Sequence, residues 1–129
     1  MERLRTVSRD WELPCGVALA SNQQKLYAGD IQGRKIWVYE IAGDGTLRGG
    51  QVFAWAHANG LKTDEMGNVW VGANQTIAVF DAYGRRLGEI PILEDLSNCA
   101  WADGFRNLYV TARSSVYRIE TKVNGTCTY

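Results

Sequence analysis

Long apolar runs and helical periodicity are both missing from this sequence of 129 residues. No stretch approaches the ~20 consecutive apolar residues that a membrane-spanning helix needs. Met1–Thr6 lacks the apolar segment of a secretory signal. A membrane partner is therefore not expected, and the expected location is cytoplasmic. Every window long enough for an amphipathic helix is interrupted by glycine or by turn-forming residues. Net charge is missing too: 14 basic residues balance 14 acidic ones, which leaves no electrostatic footprint for nucleic acid. Proline occurs twice and histidine once, as His57. The three cysteines, Cys15, Cys99 and Cys127, are an odd number without metal-ligand spacing, so reduced thiols are expected.

What is present is a repeat rich in aromatic and β-branched residues. Pro14-Cys15-Gly16-Val17-Ala18-Leu19 leads into Lys25-Leu26-Tyr27-Ala28-Gly29-Asp30. The pattern returns as Ala58-Asn59-Gly60-Leu61 with Gly67-Asn68-Val69-Trp70-Val71-Gly72, and again as Ser97-Asn98-Cys99-Ala100-Trp101 with Arg106-Asn107-Leu108-Tyr109-Val110-Thr111. A further apolar run ending in an acid closes each copy, at Ile36–Glu40, Ile77–Asp81 and Val116–Glu120. Several short strands repeated at about 40 residues are the sequence signature of propeller blades.

The expected fold is all-β, as half of a six-bladed β-propeller built from antiparallel four-stranded blades. The blades are expected at about 14–55, 58–92 and 97–127, in one domain spanning 1–129. A strand at 4–8 has no place in the first of them, while the third has only three strands of its own. Three blades cannot close a ring. Two chains arranged head to tail are expected to close one as a homodimer, each giving its strand 4–8 to complete the other's last blade. The competing expectation is a piece of a longer chain. Trp37 and Trp70 are expected between blades, in the core.

The quoted segments resemble the gluconolactonase, regucalcin and luciferin-regenerating-enzyme-like propellers. Pro14–Leu19 with Lys25-Leu26-Tyr27 is similar to that family's PNGLAFSPDGKTLYVAD segment. Asn59–Val71 is similar to PDGLAVDAEGNLWVA, and Ser97–Trp101 with Asn107–Thr111 to TNCAFGG…LYVT. The resemblance implies a lactonase-like function, a metal-assisted hydrolysis of lactones or esters, with one divalent cation (calcium, zinc or magnesium) on the axis. Family members hold that cation with Glu, Asn and Asp. Cys15 and Asn59 stand at the Asn and Asp positions, Asn98 matches a residue near the metal, and the Glu lies in a blade ahead of the matched stretch. Amides and a thiol in place of carboxylates weaken the hold on a hard cation. Two alternatives therefore stand beside the hydrolase: a non-catalytic propeller binding a small polar molecule or a peptide, and a structural half-propeller without a site.

Blade geometry puts the loop before each first strand and the loop between the second and third strands on one face. That face is expected to gather Cys15, Asn59 and Asn98 near the axis as candidate metal ligands. His57 is the candidate catalytic base, because an imidazole serves as base or ligand near neutrality. Trp11, Asp30, Arg34, Asn74 and Arg113 surround them as candidate substrate contacts. Lys62 joins these, since strand alternation points it into the channel.

Overall fold

The computed structural model describes residues 3–102 and 104–126. Among them every regular element is a β-strand. The first sheet contains β1 (Pro14–Leu19), β2 (Lys25–Asp30), β3 (Lys35–Ile41) and β4 (Leu47–Ala54) in that order. The second contains β5 (Leu61–Thr63), β6 (Val69–Ala73), β7 (Thr76–Phe80) and β8 (Arg86–Pro91). The third contains β9 (Leu96–Ala102), β10 (Asn107–Ala112) and β11 (Val116–Glu120). All pairings are antiparallel between sequence neighbours. None of the described residues forms a helix long and apolar enough to cross a membrane.

Turn chemistry read from the sequence operates as expected. Carboxylates and amides accept from backbone N–H groups two residues on: Asn22 from Gln24, Asp44 from Thr46, Asp64 from Met66 and Asp81 from Tyr83. Such side chains close a turn that the backbone alone would leave open.

Strand alternation then decides the packing. Tyr27, Ile36 and Val38 of the first sheet meet Leu61, Val69, Val71, Ala78 and Phe80 of the second. The opposite face of the second sheet, with Trp70 and Ile77, meets Leu108, Val110 and Cys99 of the third. Covered on both sides, β6 reads as the near-continuous apolar run Val69-Trp70-Val71-Gly72, as a strand without a wet face should. Trp70 stands edge-on to Trp101, with ring centroids 5.3 Å apart.

One expectation needs correction. Residues 4–8 form no strand: alternation alone does not make one without a neighbouring edge, and among the described residues no strand pairs with them. The segment instead brings the Ser8 hydroxyl to 3.1 Å from that of Tyr39. Trp37 does not lie between two of the described sheets. Its register partners are Ala28 and Val52, on the face turned away from the second sheet, where Trp11 packs at 5.8 Å and the Lys35 ammonium lies 5.3 Å from the ring. Beyond β11 come residues 121–126. They fold back on the second sheet, where Gly125 bridges to Asp64 and the Thr126 N–H donates to the Thr63 carbonyl. Cys127 lies outside the described residues.

The second sheet holds the loop ahead of β5 through a close approach at Gly72. The Gly72 carbonyl accepts from the Asn59 N–H at 2.7 Å, and a Cβ on Gly72 would fall 2.3 Å from the Asn59 carbonyl oxygen. Gly72→Ala is expected to cost about 1–3 kcal/mol by forcing the two strands apart. Urea denaturation should show a lower midpoint at unchanged slope.

Candidate functional site

The innermost strands β1, β5 and β9 are neighbours, and they bring the three candidate ligands into one row. Cys15 Sγ donates to Asn59 Oδ1 at 3.6 Å. The Asn59 amide nitrogen donates to the Leu96 carbonyl at 2.7 Å. Asn98 abuts Gly60, whose missing Cβ would lie 2.9 Å from its Oδ1, and that oxygen accepts from the Cys99 N–H at 2.8 Å.

This donor set does not fit a hard dication. Two of its amide oxygens already accept hydrogen bonds, its thiol is a soft ligand, and it holds no carboxylate. Calcium and magnesium ask for several oxygens, mostly anionic. Zinc asks for about four N, S or carboxylate ligands. Among the described residues, no three His, Cys, Asp or Glu side chains gather to hold a metal ion.

Beside this row, at the same end of the sheets, opens a cleft of about 580 Å³ lined by His57, Asn74, Gln75, Arg86, Glu89 and Asp95 among others. Its connection to the row is direct: the Asn74 carbonyl accepts from the N–H of Leu96, whose own carbonyl accepts from Asn59. Asn74 adopts φ 57° at the β6–β7 turn, a left-handed conformation that Asn tolerates. His57 is half-buried, and its Nδ1 is shielded from solvent without a hydrogen-bond partner. Arg86 pairs with Glu89, and the Gln75 amide donates to Asp95 at 3.2 Å. The cleft thus mixes a guanidinium, two carboxylates and two amides around one imidazole, a set suited to a small molecule bearing several hydroxyls.

Arg86, Glu89 and Asp95 were not among the residues expected from the sequence. The signal available was weak: Arg86 and Glu89 bracket Leu87-Gly88 on an outer strand, and Asp95 stands one residue ahead of β9.

The other expected contacts are dispersed. Asp30 is buried, with 1% of its surface exposed. Its carboxylate accepts from the backbone N–H groups of Leu13, Glu12 and Gly33 at 2.9, 3.1 and 3.1 Å. Burial pushes this carboxyl up, but those three amides and the nearby Lys35 outweigh burial and hold it below the usual range. Its role is to pin the loop ahead of β1. A carboxyl lowered by folding contributes stability above its unfolded value, near pH 4, and that contribution is lost as pH falls through the folded value. Asp30→Asn should therefore cost about 1–3 kcal/mol at neutral pH. Its urea midpoint should also change less than the parent's on acidification.

Arg34 and Arg113 are exposed on the β2–β3 and β10–β11 turns. Trp11 packs on Trp37 and Tyr39. Lys62 is half-buried on the face that meets the third sheet; its ammonium donates to the Leu61 carbonyl at 3.0 Å. Burial pushes the nearby Cys99 thiol up to about 11, with the Lys62 charge acting against it.

Comparison with known proteins follows the same lines. The chain is 30% identical over 138 residues to a gluconolactonase of Zymomonas mobilis subsp. mobilis, an alignment that takes in 95% of this chain and 39% of that one. A gluconolactonase structure from Xanthomonas campestris superposes with a TM-score of 0.78 at 25% identity, over 91% of this chain and 39% of the other. The calcium-binding protein regucalcin from Agrobacterium tumefaciens shares the fold, with a TM-score of 0.77 at 13% identity, over 93% and 49%. The chain thus spans between two fifths and half the length of these relatives. Residues 2–114 match the family described as the SMP-30/Gluconolactonase/LRE-like region. With its repeat, its three antiparallel sheets and most of its length accounted for in this way, the chain belongs to the SMP-30/gluconolactonase/LRE-like family.

Proposed function

We infer that this chain serves lactone hydrolysis, with a hydroxylated cyclic ester of the gluconolactone class held in the cleft at His57. One observation carries the reading: the shielded, unpartnered Nδ1 of His57 on a cleft of about 580 Å³, in a chain of a lactonase-related family. Buried polar atoms without partners are rare and costly.

The imidazole takes a proton from a water in the cleft as that water's oxygen bonds to the carbonyl carbon. The tetrahedral adduct then breaks the ring C–O bond. The proton passes from the imidazolium to the departing alkoxide, giving the open hydroxy acid. Asn74 and Gln75 are placed to donate to the substrate's oxygens, and Glu89 and Asp95 to accept from its hydroxyls. Arg86 offsets the negative charge that develops on the adduct. No step runs through a cation, since the row at Cys15, Asn59 and Asn98 does not supply the ligands for one.

The test is turnover of glucono-δ-lactone, corrected for spontaneous opening, with and without EDTA and alongside metal analysis of the purified chain. Turnover above background that survives EDTA is expected. Activity abolished by EDTA would return the chemistry to a cation and remove His57 as its base.

A second reading has its own observation. Cys15 bonds to Asn59, and the amides of Asn59 and Asn98 bond to backbone, which leaves a row built for rigidity. A propeller that binds a small polar molecule without reacting needs no more than that. Absent turnover, with a thermal shift on adding gluconate or the lactone, would favour it.

A further inference from the structure

Residues 92–95 link β8 to β9 and tie three parts of the molecule together. The Ile92 side chain is buried in the core between the second and third sheets. The Gln75 carbonyl accepts from the N–H groups of Ile92 and Leu93 at 2.8 and 3.4 Å, and the Asn74 carbonyl from that of Leu96 at 2.9 Å. Between these anchors Leu93 stands at φ 70°, with 82% of its surface exposed. A bulky residue rarely enters the left-handed region, and here no burial offsets the strain. Such a conformation persists where the surroundings over-determine it, and it concentrates at functional sites.

The next two residues reach in different directions. Glu94 leans on the third sheet: its carboxylate accepts from the Ser114 hydroxyl and, at 2.7 Å, from the Tyr117 hydroxyl. Ser114 lies on the β10–β11 turn, and the Tyr117 ring packs against the core of that junction. Asp95 lines the cleft, where its side chain is tied by one exposed bond from the Gln75 amide at 3.2 Å. A single long bond in solvent holds a side chain weakly. The placement of Asp95 therefore comes from the backbone beneath it, and that backbone is fixed one residue earlier.

We propose that Glu94 is a positioning residue for the cleft. Clamped to Ser114 and Tyr117, it sets the Asp95 carboxylate where it accepts from a hydroxyl of the bound ligand. The third sheet supplies none of the cleft's lining, yet through Glu94 it acts on the site without touching the ligand. The proposal rests on the lactone reading for what Asp95 contacts, a ring bearing several hydroxyls, and not on the chemistry at His57.

The test uses glucono-δ-lactam, in which nitrogen replaces the ring oxygen, so the hydroxyls are kept and the ring resists opening. In calorimetric titration of the full chain, Asp95→Ala should weaken lactam binding by about tenfold, and Glu94→Ala by a comparable factor. The double variant should bind within about twofold of Asp95→Ala alone, because residues acting as a unit are not additive. Glu94→Gln should bind within about twofold of the parent, since its amide oxygen accepts from one hydroxyl and its NH₂ donates to the other. A clamp that only supports the fold would lower the urea midpoint of Glu94→Ala and leave its lactam affinity unchanged. That result overturns the proposal, as does a double variant whose loss is the product of the two single losses, a Glu94→Gln no better than Glu94→Ala, or a parent that does not bind the lactam. Lactone turnover measured alongside keeps the two readings apart. Coupled losses in binding without turnover remove hydrolysis and leave the clamp, whereas turnover with independent losses removes the clamp alone.

Discussion

His57→Gln should lower kcat for glucono-δ-lactone by about 100-fold or more, with KM little changed. Removing a general base from a positioned water typically costs 10²–10⁴ in rate. A change confined to kcat marks an interaction made in the transition state alone. Glutamine keeps most of the volume and can hydrogen-bond to the substrate, so ground-state binding survives. Stability should move the other way. A shielded nitrogen without a partner costs the folded state about 1–3 kcal/mol, so His57→Leu should lose turnover while matching or exceeding the parent's melting temperature. Side chains that hold a fold together show the opposite pairing. A loss of kcat below about tenfold, or a parallel fall in melting temperature, would remove His57 from the chemistry.

Asp64→Ala should be the most destabilising single substitution away from the cleft, costing about 3–5 kcal/mol. The carboxylate is fully buried and accepts four hydrogen bonds. Oδ1 takes the backbone N–H groups of Met66 and Asn68 at 2.9 and 3.0 Å. Oδ2 takes the Asn68 amide at 2.9 Å and the Trp70 indole N–H at 2.8 Å. Alanine strands all four donors, the indole among them in the core between the second and third sheets. A domain of this size holds about 5–15 kcal/mol in total, so a substantial unfolded fraction is expected at modest urea. Asp64→Asn keeps one acceptor but turns an NH₂ toward two donors, and should recover only part of the loss. Asp81→Ala makes a sharp control: the same kind of turn, closed by Tyr83 and Arg85, sits at the surface and should lose far less. Urea titration followed by tryptophan fluorescence distinguishes the three. An Asp64→Ala midpoint close to that of Asp81→Ala would show that the indole bond contributes little.

The contrast between these two turns marks how far the residues alone could be read. Asp64-Glu65-Met66-Gly67 and Asp81 with Gly84 announce turns, and both are turns. Only the fold shows that the first carboxylate is roofed by Trp70. The strands themselves were legible, because the 40-residue repeat sets their phase three times over. Direction was not. Ile36-Trp37-Val38-Tyr39 is apolar on both faces, so nothing local says which face meets the second sheet, and it is Ile36 and Val38 that do. Leu4-Arg5-Thr6-Val7-Ser8 alternates as a strand would, yet a strand needs an edge to pair with, and pairing is nonlocal.

The site was legible in part for the same reason. Cys15, Asn59 and Asn98 occupy repeat-equivalent positions and do line up. His57 and Asn74 share one cleft, as their loops foretold. Asp30 also sits at the expected end, but Leu13 and Glu12 fold over its carboxylate and withdraw it from solvent. Arg86, Glu89 and Asp95 come from an outer strand and a linker, where charged residues usually mean nothing beyond solvation.

The backward course of residues 121–126 has a mechanical consequence. Gly125 is latched to Asp64, and the Thr63 carbonyl takes both the Thr126 N–H and the Trp101 indole. A pull on the third sheet is therefore transmitted through this buckle to the middle of the molecule, and the two sheets must come apart together or hold together.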